Sequence, residues 1–160
     1  MKLLAIDPGN IESAYVIMGE DYKPILHDKL ANDTLLFHIK TDFHGQGLTD
    51  LAIEMVACYG MPVGKEVFET CVWIGRLLQA TDYIPAKQFI YRKDEKMNLC
   101  HSMRAKDGNI RQALIDRFGP VGIKKNPGFF YGFSKDQWAA MAVGVTYLDL
   151  FKEGKNGSAY

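Results

Sequence analysis

The sequence predicts a layered α/β fold from three patterns: short apolar strands in the first half, an internal strand apolar on both faces, and helical periodicity in the second half. Lys2–Asp7 is an apolar run closed by Asp-Pro-Gly, a turn signal. Residues 13–18 (SAYVIM) and 24–30 continue it as the second and third strands of a meander. Residues 32–48 fit a short helix or an edge strand through TLLFHI, with a loop at HGQGL. Residues 49–56 (TDLAIEMV) are apolar on both faces, as a central strand covered by helices requires.

Residues 63–80 carry Val67, Cys71, Ile74 and Leu78 at helical spacing, and Phe68, Val72 and Trp73 widen that stripe. A helix so broadly apolar is expected to bury more than one face. Gly75 in its middle costs about 1 kcal/mol relative to Ala, which close helix packing would explain. Ala86–Tyr91 reads as a fifth strand, and residues 106–118 as a helix stopped by Gly119-Pro120. Ser134 with Gln137 fits a capping box, opening a last helix that runs to about residue 152.

No repeat, low-complexity tract or long linker divides the 160 residues, so a single domain is expected, with about 153–160 as a flexible tail. No apolar run approaches the roughly 18 residues of a membrane span. The start, MKLLAIDPGN, reaches an acid too early for a secretory signal, so a cytoplasmic protein is expected. Cys58, Cys71 and Cys100 are odd in number and form no CxxC pair. They argue against a disulfide framework or zinc knuckle and are expected to be buried packing residues. Residues 1–91 hold 7 Lys/Arg against 12 Asp/Glu, whereas residues 92–125 hold 9 against 4. Such segregation is usually a solvated face, but here a basic stretch able to hold phosphate follows an acidic half containing candidate metal ligands.

Three carboxylates stand out. Asp7 closes an apolar strand, Glu54 lies inside LAIEMV, and Asp136 falls in the first turn of the last helix. Asp7 has an ordinary reading as a turn former, and Asp136 as a residue favoured near a helix N-terminus. Glu54 is harder to place, because an unpaired buried charge costs several kcal/mol. Asp7 on a neighbouring strand would worsen that cost unless a cation lay between them. A hard divalent ion, Mg²⁺ or Mn²⁺, accepts such oxygen ligands.

Three blocks resemble one family. IDPGNIESAYVI resembles the opening strand–turn–strand of RuvC-type Holliday junction resolvases of the phage-encoded subgroup. LAIEMVACYGMPVGKEVFETCVWIGRLLQA resembles their central strand and long helix, and KDQWAAMAVGVTYLD their closing helix. The resemblance implies an RNase H-like fold, with a five-stranded mixed sheet flanked by α-helices. It implies a homodimer built largely on the helix of residues 63–80, in the cytoplasm of a bacterial host. The implied activity is Mg²⁺-dependent hydrolysis of phosphodiesters in four-way DNA junctions, leaving 5′-phosphate and 3′-hydroxyl ends, with Mn²⁺ able to substitute.

Asp7, Glu54 and Asp136 match the family's catalytic, metal-holding acids. One ion would activate water and a second, about 4 Å away, would stabilise the leaving oxygen. The family's DNA-binding lysines fall on Lys96 and Lys106, and Tyr59 is the candidate junction-opening aromatic. The fourth acid expected three residues after Asp136 is missing, since that position is Ala139 and the next is Ala140. Residues 32–48 are also shorter than the usual helix-bearing connection.

Other readings remain: an RNase H-like nuclease acting on forks, flaps or RNA, or a junction-binding protein without catalysis. An actin-like ATPase also carries Asp-x-Gly before a hairpin, but two such domains do not fit in 160 residues.

Overall fold

A computed structural model describes residues 1–152; the expected tail at 153–160 lies outside them. The main strands are β1 (Lys2–Asp7), β2 (Glu12–Gly19), β3 (Pro24–Ala31), β4 (Asp50–Met55) and β5 (Ala86–Tyr91). The helices are α1 (Asn32–Lys40), α2 (Lys65–Ala80), α3 (Arg92–Cys100), α4 (Asp107–Phe118) and α5 (Lys135–Tyr147), which runs into a π-helical turn at Leu148–Lys152. Two short strands, β6 (Gly122–Ile123) and β7 (Asn126–Pro127), form a separate hairpin.

The five main strands form one sheet in the order β3-β2-β1-β4-β5. Tight turns make β1, β2 and β3 an antiparallel meander, while β1, β4 and β5 run parallel and need helical crossovers. Alternation along the strands then sorts side chains to two faces. Leu4, Ile6, Ile17 and Ile53 meet Ile39 of α1 and Ile74 of α2 on one face. Leu3, Ala5, Val16 and Ala52 meet α5 and Leu114 of α4 on the other. The axis of that second layer is α5, buried on nearly every side from Gln137 to Tyr147. It presses so closely on the sheet that a Cβ on Gly144 would lie 2.6 Å from Met18 Cε and 3.1 Å from Ala5 Cβ.

Several expectations need correction or completion. Residues 32–48 resolve into α1 followed by turns. The seam of α2 is Thr70, Ile74 and Leu77, so the helix buries one face, while Phe68 and Val72 are 62% and 64% exposed. Gly75 is exposed too, and no other described residue comes within 4 Å of an added Cβ, so close packing among the described residues does not explain it. Cys58 is exposed, and Cys71 and Cys100 are only half-buried, because they sit on a loop and on helix flanks instead of in the two core layers. The strand at residues 49–56 opens with a buried acid, Asp50. Burial by itself would raise its proton affinity, but Lys152 Nζ at 2.6 Å, Thr49 Oγ1 at 2.5 Å and Tyr147 Oη at 2.5 Å hold it below the usual carboxylate range.

Candidate active site

The sheet register assembles the site. Cross-strand partners share a face, and Asp7 of β1 pairs with Ala14 of β2, which pairs with Lys29 of β3. On the other side Ile6 pairs with Ile53, which brings Glu54 of β4 beside Asp7. The two carboxyl groups come close enough for each to shift the other's proton affinity. Burial first, then the charge of Glu54, pushes Asp7 up to about 8. Burial also raises Glu54, against the pull of the Arg92 guanidinium.

Asp136 comes to the same place from above. The N–H of Ser134 donates to Gln137 Oε1 at 3.2 Å, fixing the first turn of α5 as the capping pattern predicts. His27 Nδ1 lies 2.8 Å from the same oxygen, tying that turn to β3. Asp136 Oδ2 then receives Lys29 Nζ at 2.7 Å, and the ammonium also reaches Glu12 Oε2 at 3.0 Å. Asp136 still adds to the field that raises Asp7. All three predicted acids therefore line one cleft of about 550 Å³, together with Arg92, Asp107 and Ala139.

The sequence reading missed Arg92, Glu95 and Asp107. Arg92 opens α3 just past the end of β5, and its Nη1 donates to Glu95 Oε2 at 2.5 Å. Its Nη2 pairs with Asp107 at the start of α4. Glu95 is fully buried, and its Oε1 has no hydrogen-bond partner among the described residues. Burial, then the Glu54 charge, pushes it up to about 9. The available signal was the Arg92/Glu95 spacing of three, a helical neighbour pair, inside a segment that otherwise reads as a basic run.

The DNA-contact candidates lie farther out. Lys106 is an exposed N-cap residue of α4, adjoining the cleft residues Asp107 and Gly108. Lys96 is half-buried on α3 and does not line the cleft. Tyr59 is 58% exposed with φ of +47° on the loop after β4. That loop and α2 enclose a second groove of about 420 Å³, lined by Glu54, Tyr59, Val63, Phe68 and Cys71.

Hard oxygen donors held side by side suit a divalent cation, and the half-buried Asp7–Glu54 pair fits one. Among the described residues, no three His, Cys, Asp or Glu side chains stand close enough to share a single ion. Asp136 bonds Lys29 instead.

No protein-family model matches the sequence, and no curated protein matches it. Solved structures do. RuvC of Thermus thermophilus superposes with a TM-score of 0.72 at 13% identity, over 96% of this chain and 97% of that one. The same organism's RuvC in complex with Holliday junction substrate gives 0.69 at 13% identity, over 94% and 96%. A five-stranded mixed sheet in this strand order, flanked by these helices and matched end to end, gives the chain a RuvC-like, RNase H-like α/β fold.

Proposed function

We propose that the protein is a divalent-metal-dependent endonuclease that cuts four-way DNA junctions as a symmetric dimer. The observation that carries this reading is the half-buried Asp7–Glu54 pair, set side by side by the sheet register and opening into a cleft that Asp136 also lines. An apolar strand end gains nothing structurally from two like acids, whereas a metal site requires them. The likeness to a RuvC solved with Holliday junction substrate supports the choice of DNA.

Asp7 and Glu54 would hold Mg²⁺, with Mn²⁺ able to replace it. Bound there, the ion would supply Lewis-acid polarisation of the phosphodiester and a more acidic water. The chain's own residues do the rest. Arg92 offsets the Glu54 charge and is itself held by Glu95 and Asp107. The N-terminus of α4, with Lys106 and Arg111, directs positive potential along the cleft, where a phosphate backbone would run. Lys96 extends that basic side, and the Tyr59 loop borders the second groove, where an opened base could stack. Phe68 and Val72, exposed on one face of α2, supply an apolar surface for a second copy, and paired cuts across a two-fold junction need two sites related by the same symmetry.

The test is incubation of a labelled four-way junction with the protein in Mg²⁺ or Mn²⁺ and in EDTA. Symmetric metal-dependent nicks are expected. Tight binding without cleavage in either metal would move the protein to the class of junction-binding proteins. Preferential cutting of forks, flaps or RNA would keep the nuclease and change its substrate.

A further inference from the structure

We propose that the Lys29 ammonium stands in the place of a second divalent ion beside Asp136, so that this active centre takes one divalent ion instead of two. The inference rests on the nuclease reading above and concerns how that site is built.

The geometry begins in the sheet. Asp7, Ala14 and Lys29 form one cross-strand row on the face that α5 covers. Neighbouring strands lie about 4.8 Å apart, so the Lys29 backbone is roughly 10 Å from that of Asp7. The side chain between them is only a methyl group. A lysine can extend over Ala14 toward the acids, and Lys29 does so. Its Nζ lies 2.7 Å from Asp136 Oδ2 and 3.0 Å from Glu12 Oε2, bridging carboxylates from α5 and β2. Two carboxylate oxygens from separate elements are the donors that a hard cation would take.

Ala139 fits this arrangement, because an acid one turn along α5 would be needed only to hold another ion. The simpler account of Lys29 is a surface ion pair that pins α5 to the edge of the sheet. It predicts no effect on metal count.

Mn²⁺ titration of the full-length, DNA-free protein, followed by calorimetry and by electron paramagnetic resonance, separates the two. The wild type should bind one ion, and Asp7→Asn should abolish it. Lys29→Met frees Asp136 and Glu12 and should add a second, weaker ion, with dipolar broadening between paired Mn²⁺ centres. Lys29→Arg keeps the charge and should remain at one. On junction DNA, the cleavage rate should rise with the first power of Mg²⁺ in the wild type and more steeply in Lys29→Met. Thermal unfolding checks that the variants fold; if Lys29→Met does not, Lys29→Gln replaces it. Two ions of similar affinity in the wild type, or one ion in both wild type and Lys29→Met, would overturn the proposal and leave the nuclease reading intact. No ion in the wild type, with Asp7→Asn indistinguishable from it, would overturn both.

Discussion

Arg117 grips Asp149 with both prongs of its guanidinium, Nη1 to Oδ2 at 2.7 Å and Nη2 to Oδ1 at 2.9 Å. The same carboxylate accepts the Tyr22 hydroxyl at 2.8 Å and Asn98 Nδ2 at 2.7 Å, so α3, α4, the β2–β3 turn and the π-helical turn meet on one acid. Asp149→Ala should therefore lower the unfolding free energy by roughly 2–4 kcal/mol, measured by urea titration. Burial works against the charged form of Asp149, but Arg117, Asn98 and Tyr22 hold its carboxyl below the usual range. Its contribution is then complete above about pH 5 and lost as pH falls below about 4. The difference between wild type and Asp149→Asn should be constant at neutral pH and shrink in acid.

Asp7→Asn, Glu54→Gln and Asp136→Asn should each reduce single-turnover junction cleavage by roughly 100-fold or more while gel-shift binding persists. Each exchange keeps side-chain size and removes one charge from the cleft. Near-normal turnover in one variant would remove that residue from the site.

The same acids should cost stability. In EDTA, Asp7→Asn should raise the unfolding free energy by about 0.5–2 kcal/mol, because it removes a carboxyl whose charged form is disfavoured by its surroundings and by Glu54. The sign with pH follows from the raised Asp7. The native state keeps its proton up to about 8, whereas the unfolded chain releases it near about 4. Wild-type stability should fall between those values as pH rises, and Asp7→Asn should flatten that slope in calorimetry. An unchanged slope would mean that the proton affinity of Asp7 is not raised in the native state.

Lys106→Ala should weaken binding to all junction sequences alike, since phosphate contacts carry no base information. It should reduce the salt slope of binding by about 0.9 log units for each phosphate that is no longer neutralised. Lys96, half-buried and away from the cleft, should show a smaller change. Equal slopes in wild type and both variants would place the DNA on another surface.

Phe68→Glu combined with Val72→Glu should leave the fold intact, because both side chains are exposed in the single chain. It should shift sedimentation toward monomer and replace paired cuts by single nicks. A wild type that stays monomeric at high concentration, with and without junction, would remove the two-fold geometry.

The strands and the three acids were legible because apolar runs and turn residues dominate them, and because a carboxylate inside LAIEMV has no ordinary reason to be there. The register that joins Asp7 to Lys29 was not, since the pairing of β2 with β3 is a non-local fact and β3 is half-exposed along its length. Helix α3 was missed for a related reason. Its one buried residue is Glu95, so it has no apolar stripe to betray it. Phe68 and Val72 were read as core because periodicity reports apolar spacing and cannot say whether the surface that covers it belongs to the same chain.

The missing side chain at Gly144 also acts as a spacer gauge. Asp136 rides on the same rigid rod, eight residues or about 12 Å nearer the cleft, so the thickness of the contact at Gly144 with Met18 and Ala5 sets the height at which that acid hangs over the strand ends. A single added methyl group would have to be absorbed by a filled core layer, by shifting Met18 or by lifting the rod. Lifting would tilt a carboxylate that bonds Lys29 at 2.7 Å and lines the cleft with Asp7 and Glu54. Tolerance to substitution at this distant glycine is thus a readout of how finely the cleft must be spaced.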